Sequence, residues 1–313
     1  MSWLGLILIS YFILSISNLI DKIFLSKIVA ESIVYAIWVS LLSVFMIVLL
    51  VADVLFNQLV DRRITRLGLL TWMTPWHIAL AIGIGILFTL AIYFLYTALQ
   101  RGEASRVIPL TGGSMPVLIY LMSFSYDPLD QSKLVSFIFL VSGTVLISMM
   151  PKNKRTDLPG SKRLALAASF SFALFFVLTQ ILFRQQGFLN GIVWPRLGSA
   201  LALLFLFSFK SVREKMRQSL HHLSFRLRST WLIAQGLGAI GFLGQQYVIS
   251  LPGVRVALVS ALQSVQYVFI LVFATLLSFL KPKLLSEQIS FKVILQKMFA
   301  LVSIAIGLYY VSL

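Results

Sequence analysis

The sequence contains no cysteine and few charged residues of either sign. Disulfide bonds, zinc–thiolate sites and cysteine nucleophiles are therefore excluded. Only 12% of the residues are charged, whereas soluble domains have about a quarter. Acidic residues number 10, and the three histidines are His77, His221 and His222. With so few titratable groups, no metal-ligand spacing or Ser–His–Asp set can be assembled, and we predict no enzyme activity and no cofactor.

Apolar residues, in contrast, are abundant. They make up 59% of the 313 residues, more than a soluble protein of this size could bury, whereas a bilayer accepts helices of about 20 apolar residues. We therefore predict an all-α integral membrane protein with about ten transmembrane helices. The predicted spans are residues 2–25, 33–56, 77–100, 104–124, 133–150, 163–184, 190–209, 230–251, 254–280 and 293–312.

The net charge of +16 does not indicate nucleic-acid binding, because almost every Lys and Arg lies between or at the ends of apolar spans. That distribution is typical of membrane proteins. One basic connector, 210–230, holds six basic residues together with His221 and His222. We predict that it lies on the membrane surface as an amphipathic segment. A metal pair at the two histidines is the alternative.

A second basic connector divides the chain near its centre, with five predicted spans on each side. The predicted organisation is a first five-helix repeat over 1–150, a basic linker over 151–162 and a second repeat over 163–313. Because five is an odd number, the second repeat would be inverted relative to the first, as in many transporters. A shift of 151 residues aligns Gly85 with Gly236 and Tyr96 with Tyr247.

The distribution of basic residues also predicts an orientation. Connectors after spans 2, 4, 6 and 8 hold seven of the 26 basic residues, Arg196 among them, and the other connectors hold nineteen. The positive-inside rule then places both termini outside the cytoplasm.

Several short motifs resemble those of EamA-type transporters of the drug/metabolite transporter superfamily. Span 3 ends in a turn with Ala98-Leu99, Gly102 and Ala104-Ser105, and Pro116 follows in span 4. The runs 18–22 in span 1 and 258–267 in span 9 also match. The family's glutamate after span 4 is replaced by Asp127, and the first of two glycines in span 5 by Ser136, while Gly143 retains the second. The resemblance implies a ten-helix carrier of small metabolites in the inner membrane, with both termini in the cytoplasm, opposite to the charge count.

Polar side chains recur at helical spacing within several spans. Tyr11, Ser15, Asn18 and Lys22 share one face of span 1, and Thr89, Tyr93, Tyr96 and Gln100 share one face of span 3. We expect these stripes to line a central cavity, because polar groups facing lipid are costly. Hydrogen bonding that only joins the helices is the alternative. The predicted substrate-binding residues are Asn18, Lys22, Tyr93, Tyr96, Gln180, Gln246, Gln263 and Tyr267. We expect Gln263→Leu or Tyr96→Ala to abolish transport without loss of folding.

Asp21 and Lys22 are the charged residues nearest to the interior of a span. Asp21 is the candidate for proton coupling, and Lys22 would attract an anionic group. The alternative is that both side chains extend to the membrane interface, since they lie near a helix end.

Span 4 carries a predicted hinge. Pro109 and Pro116 remove backbone donors, and Gly112-Gly113 lie between them. Alternating access could use such a hinge, although membrane helices also tolerate proline and glycine without one. Span 8 contains Gly236, Gly238, Gly241 and Gly244, which we expect to allow close helix packing. Three of them fit the G-x-G-x-x-G pattern of dinucleotide binding, but that motif requires a preceding strand.

The sequence therefore predicts a secondary transporter, an exporter or exchanger, for small polar or amphipathic metabolites. Its partners would be a small-molecule substrate and the lipid bilayer. A monomer would suffice, because both halves of the cavity lie on one chain, and a dimer stays open. The alternative is a flippase for a lipid-linked headgroup, or a non-transporting membrane subunit.

Overall fold

The computed structural model describes residues 2–27, 32–44, 73–101, 104–148, 160–221, 225–280 and 291–312, together with positions 47, 48 and 52. These residues are almost entirely helical and none of them lies in a strand, so the all-α prediction is confirmed for this part of the chain. The helices are α1 (Trp3–Lys27), α2 (Ser32–Val44), α3 (Pro75–Arg101), α4 (Ala104–Ser123), α5 (Gln131–Ser148), α6 (Ser161–Val193), α7 (Pro195–Ser208), α8 (Lys210–His221), α9 (Phe225–Ser250), α10 (Val256–Ala261), α11 (Gln263–Leu280) and α12 (Phe291–Ser312).

Six helical segments are long and apolar enough to cross a membrane, and α7 with α8 adds a seventh if the two form one bent span. The outer surface of the bundle is apolar: Leu121, Phe205 and Ile233 each expose 66% of their surface. Long apolar helices with large apolar side chains on the outside are compatible with a multi-pass membrane protein. The six segments are Trp3–Asp21, Pro75–Arg101, Ser161–Val193, Ser229–Ser250, Val256–Phe273 and Leu295–Ser312.

Each long helix has one or two principal partners. Helix α6 packs against α3 and α4, α1 packs against α9 and α11, and α5 packs against α12. Helix α2 contacts both α3 and α7. In the described part of the chain, the interior is shared by α1, α3, α4, α6, α9 and the pair α10–α11.

Glycines allow the helix pairs α3–α7 and α1–α9 to approach within backbone contact. A Cβ atom on Gly85 of α3 would overlap the carbonyl oxygen of Pro195, and one on Gly198 of α7 would overlap the carbonyl of Ile82. The Ser199 hydroxyl donates a hydrogen bond to the Gly85 carbonyl at 3.1 Å. The backbones of α3 and α7 are consequently in direct contact, as small residues permit in membrane bundles.

The second such pair is α1 with α9. The packing role predicted for the glycines of span 8 holds for Gly238, Gly241 and Gly244, each of which faces α1 closely, whereas no atom lies within 4 Å of a Cβ placed on Gly236. Because all four lie on helix α9, the strand–turn–helix context of dinucleotide binding is absent there.

Helices α5 and α12 pack closely at Ser136 and Gly143, the two positions compared above with glycines of EamA-type transporters. Ser136 is buried and its hydroxyl donates to the Gly307 carbonyl at 2.7 Å. A Cβ atom on Gly143, two turns later, would overlap Ile304. Serine at the first position is therefore compatible with the close contact, since its small side chain also supplies a hydrogen bond.

Three breaks shape the second half. Gly187 interrupts α6 with φ 76°, within the connector predicted between spans 6 and 7. Helices α10 and α11 are separated at Leu262. Helix α8 turns by 94° from α7, so the basic connector runs across the end of α7, as a surface-lying segment would. His222, and residues 151–159 of the central linker, lie outside the described residues.

Candidate functional site

One group of polar side chains joins the two halves of the chain at the α4–α5 connector. The Asp127 cluster consists of Asp127, Gln180, Arg184 and Arg255. Asp127 is buried, accepts a hydrogen bond from Arg184 Nη2 at 2.9 Å, and forms a second ion pair with Arg255. Gln180 Nε2 lies 3.4 Å from Asp127 Oδ2 and donates to the Val254 carbonyl at 3.0 Å.

The chain positions this cluster through local turns. The Asp127 amide donates to the Ser123 carbonyl at 2.8 Å, which folds the carboxylate back under the end of α4. On the other side, Gly253 adopts φ 78° and turns the chain so that Arg255 begins α10. The position occupied by glutamate in the resembling family is thus used here by a shorter acid with two arginine partners.

The connector beyond Asp127 contains a second, exposed charge pair. Asp130 accepts the Lys133 backbone N–H at 2.9 Å and the Lys133 ammonium at 2.5 Å, and so caps the start of α5. These two hydrogen bonds from Lys133 hold the pKa of Asp130 below its usual value. Burial, reinforced by the Asp127 carboxylate, raises the pKa of Tyr126.

A second group lies deeper, where α1 meets α9 and α10. Tyr11 is fully buried, and its hydroxyl donates to the Val259 carbonyl at 2.5 Å. Gln245 Nε2 donates to the same hydroxyl at 3.3 Å. Tyr11 therefore satisfies a carbonyl near the end of α10, where the helix stops and carbonyls lose their usual partners.

Among the described residues, the interior also holds several buried polar side-chain atoms without a hydrogen-bond partner. Gln246 and Gln266 are each 1% exposed, yet their amide oxygens have no hydrogen-bond partner within the described part of the chain. The interior polar layer, as we call the full set, comprises Thr179, Gln180, Gln246, Gln263, Ser264 and Gln266, and every member has one such atom. The large majority of buried polar side-chain atoms are paired in folded proteins, so this concentration makes the interior a candidate site for polar groups.

Two predicted residues of α4 and α11 meet directly. A Cβ atom on Gly112 would overlap the Tyr267 hydroxyl, and one on Gly113 would lie 3.0 Å from Val145. Helix α4 is continuous over Ala104–Ser123, with Pro116 buried, and the side chain of Pro109 is outside the described part. The two glycines therefore serve close packing in this structure, and the hinge stays a prediction.

A third group surrounds Asp21 near the end of α1. The Asp21 carboxylate accepts hydrogen bonds from the Tyr35 hydroxyl and from Gln235 Nε2, the latter at 2.7 Å. The Tyr96 ring contacts the Tyr35 ring edge to face at 5.2 Å, and Trp231 completes the aromatic wall. The Asp21 cluster, defined by these five residues, again combines side chains from both halves.

The remaining predicted residues lie apart from these groups. Asn18 is exposed on α1, and Tyr93 is half-buried with its ring beside Phe94. The backbone of Lys22 belongs to α1, but its side chain lies outside the described part of the structure. Of the eight predicted substrate-binding residues, the structure places Gln180, Gln246 and Gln263 in the interior polar layer, Tyr267 against α4 and Tyr96 in the Asp21 cluster.

Arg196 corrects the sequence-based count of connector charges. The count assigned it to the connector after span 6, whereas it lies in the first turn of α7 and is 5% exposed. The predicted span 7, residues 190–209, already contained this position. The packing of α7 against the middle of α3 shows that its side chain is also buried.

His77 lies at the start of α3 and links it to α6. Its Nδ1 is 2.6 Å from the Thr74 hydroxyl and its Nε2 is 3.0 Å from Gln185 Oε1. Among the described residues, no group of three or more His, Asp or Glu side chains could hold a metal ion.

Comparison with known proteins identifies a fold and no activity. No family model matches the chain, and no curated protein matches it. The chain resembles a solved structure described simply as "Crystal structure of protein", with a TM-score of 0.61 and 16% identity over 96% of this chain and 95% of that one. At this identity the likeness concerns the fold alone.

Proposed function

We propose that the protein is a secondary transporter, an exporter or exchanger, of small polar or amphipathic metabolites. It would be a multi-pass protein of the inner membrane and would act by alternating access around a cavity at the bilayer midplane. The observation that carries the proposal is the inversion of polarity: apolar side chains cover the outside, and the interior polar layer lies within.

The polar atoms of this layer favour a transport site over helix–helix adhesion. Side chains that only join helices have partners, as Ser136 has in the Gly307 carbonyl. Gln246, Gln263 and Gln266 instead each keep an amide oxygen without a partner in the described chain. A solute with hydrogen-bond donors would satisfy these acceptors when bound and release them on departure, which is the behaviour a carrier requires.

The helix packing supports two inverted five-helix repeats. We assign the ten spans to α1, α2, α3, α4, α5, α6 up to its break, α7, α9, α10–α11 and α12. In inverted repeats, each span of the first half is equivalent to the span five places later, so that α1 corresponds to α6, α3 to α9 and α4 to α10–α11. Exchanging equivalent spans then converts the α1–α9 contact into α6–α3, and the α4–α6 contact into α11–α1. All four contacts are major ones, and the α5–α12 and α2–α7 contacts map onto themselves. Together with the motifs in spans 1, 3, 4 and 9, this pattern favours an EamA-type carrier.

Each end of the proposed pathway has a closure made from both halves. At one end Asp127 pairs with Arg184 and Arg255, and at the other Asp21 accepts a hydrogen bond from Gln235. Alternating access needs contacts between the repeats that open at one end while the other end stays closed. These two clusters are suited to that role, because each breaks when the halves separate.

Counterflow in proteoliposomes tests the proposal. Proteoliposomes containing the purified protein would be preloaded with pools of amino acids, nucleosides, sugars and phosphorylated metabolites. Uptake of each labelled compound would then be measured. We expect uptake of one class, its loss in Gln246→Leu and its retention in the exposed control Gln218→Leu. If the folded protein takes up none of these compounds, the proposal fails, and scrambling of fluorescent lipids becomes the assay for the flippase alternative.

A further inference from the structure

Arg196 places a positive charge inside the bundle. The backbone of its neighbour Pro195 touches Gly85, which lies about 15 Å along α3 from the first residue of that helix at 1.5 Å per residue. The Arg196 side chain is 5% exposed, and its Nε donates to the Ile192 carbonyl at 3.3 Å.

Aromatic rings enclose the guanidinium. Its central carbon lies 5.6 Å from the centroid of the Phe88 ring and 5.8 Å from that of Phe242. Phe175 contacts both rings, at 5.2 Å and 6.4 Å between centroids, so that α3, α6 and α9 contribute one phenylalanine each to a continuous apolar wall.

No carboxylate pairs with this guanidinium in the described part of the chain, whereas Arg184 and Arg255 share Asp127. Phenyl rings attract a cation with only about 0.5–2 kcal/mol, much less than the several kcal/mol by which desolvation disfavours a buried ion. Charged residues inside a membrane-spanning bundle mark substrate or ion pathways. An anionic oxygen group is the chemical complement of a guanidinium that has N–H donors left over.

Two members of the interior polar layer lie next to this site. Gln246 follows Phe242 by one turn of α9, and Thr179 follows Phe175 by one turn of α6. Both helices run in the same direction through the proposed inverted repeats, so both side chains lie on the same side of the phenylalanine wall. Each has a buried oxygen without a partner among the described residues. The site thus offers a cation beside an apolar wall, with hydrogen-bonding groups one helical turn from two of its phenylalanines.

We infer that Arg196 binds the carboxylate or phosphate group of the transported solute, whose apolar portion packs on Phe88, Phe175 and Phe242. The inference rests on the proposed transport function and names its substrate class as small organic anions. The guanidinium donates two hydrogen bonds to the anionic oxygens, and Gln246 accepts one from a donor elsewhere on the solute.

Ligand-dependent thermal stability of the purified protein tests this assignment without requiring transport. The probes are the anions benzoate and phenyl phosphate and their uncharged isosteres benzamide and phenyl methanesulfonate. The variants are Arg196→Gln, Arg196→Lys and the control Arg213→Gln, which removes an exposed positive charge on α8. We expect an anion to stabilise the wild type saturably. In Arg196→Gln the affinity for the anion should fall by about 10-fold to 100-fold, because a charge-assisted pair is lost. Arg213→Gln should bind as the wild type does.

The outcomes separate the binding site from the transport function. Equal stabilisation by the anions and their uncharged isosteres in the wild type overturns the inference, even if Arg196→Gln fails to fold. Stabilisation that Arg196→Gln and Arg196→Lys leave unchanged overturns it as well.

Counterflow of neutral solutes that is equally fast in Arg196→Lys and wild type would retain the transporter and reject the anion site. Anion binding through Arg196 without any counterflow would retain the site and reject the transporter. A preference between benzoate and phenyl phosphate identifies which anionic group the solute carries.

Discussion

The carboxylate of Asp127 forms an ion pair with the guanidinium of Arg255, 128 positions further along the chain. Asp127 is 1% exposed, whereas the Arg255 side chain is 33% exposed, so the pair lies at the boundary between interior and surface. An ion pair in such a position holds two parts of a protein together while remaining close enough to water to open. It is therefore suited to closing one end of a pathway between two repeats.

Asp127→Asn should open this end. The substitution leaves Arg184 and Arg255 without their shared acceptor, and breaking a buried pair by removing one partner is destabilising. Because the chain has no cysteine, Ser260→Cys would report accessibility of the buried interior without background. We expect a membrane-impermeant maleimide to modify Ser260→Cys faster in Asp127→Asn than in the exposed control Asp130→Asn. Equal rates in the two backgrounds would show that Asp127 does not close the pathway.

Gly85→Ala and Gly83→Ala should have clearly different effects on thermal stability. A methyl group at Gly85 would overlap the Pro195 carbonyl, whereas no atom lies within 4 Å of a Cβ atom at Gly83. Overpacking that shifts backbone destabilises proteins by about 1–3 kcal/mol. We expect a lower melting temperature in detergent for Gly85→Ala and an unchanged or higher one for Gly83→Ala. Similar melting temperatures for the two variants would refute the close α3–α7 contact.

Tyr96 must be tested with a conservative variant. Its ring contacts Tyr35 at 5.2 Å and packs in the aromatic wall of the Asp21 cluster, and truncating a large buried aromatic side chain costs about 3–5 kcal/mol. The alanine variant would therefore affect folding as well as transport. We expect Tyr96→Phe to keep the wild-type melting temperature and to lose counterflow, as Gln263→Leu should. Wild-type counterflow in both Tyr96→Phe and Gln263→Leu would remove these positions from the substrate pathway.

Asp21→Asn should uncouple transport from a proton gradient. Asp21 accepts hydrogen bonds from Tyr35 and Gln235, which asparagine's amide oxygen can still accept, so the fold should be retained. Exchange of solute for solute needs no net proton movement, whereas uphill uptake does. We predict normal counterflow and no uptake driven by a pH difference, measured side by side in one preparation, with Asp130→Asn behaving as the wild type. Gradient-driven uptake that survives in Asp21→Asn would assign coupling elsewhere.

Asp130 provides a pH-dependent contribution to stability. Hydrogen bonds from Lys133 lower its pKa in the folded state, so its contribution is present above the unfolded pKa of about 3.9 and is lost as pH falls through the lower folded value. Asp130→Ala should destabilise the protein by about 1 kcal/mol at neutral pH through loss of the cap. Thermal unfolding between neutral and strongly acidic pH should show the wild type and Asp130→Ala converging. A constant gap over that range would mean that the carboxylate charge contributes nothing.

Helical periodicity was sufficient to find part of the interior. Tyr11, Ser15 and Thr89 lie on the predicted faces of α1 and α3 and are buried, because polar side chains at i, i+4 and i+7 share one face of a helix. The same rule placed Asn18 on the buried stripe of α1, and it is exposed. A stripe covers an arc of the helix, and only the neighbouring helices determine how much of that arc is enclosed.

The sequence could not reveal contacts that depend on tertiary packing. Asp21 and Gln235 are 214 positions apart, and nothing in their local surroundings marks them as partners. The break at Leu262 contains neither proline nor glycine, so no local signal predicts it. Asp127 was singled out only by resemblance, and its pairing with two arginines emerges from the fold.

The glycine contacts also divide the molecule mechanically. Helix α3 cannot slide along α7, nor α1 along α9, without a collision between the backbone at Gly85 or Gly241 and its neighbour. Sliding within each pair is therefore opposed at the glycines, and the two pairs meet at a seam where Phe88 faces Phe242 at 5.7 Å. Arg196 reaches across that seam. When α7 and α9 tilt relative to each other, the guanidinium moves with α7 and the Phe242 ring moves with α9, so the surroundings of any group that Arg196 holds must change with every tilt.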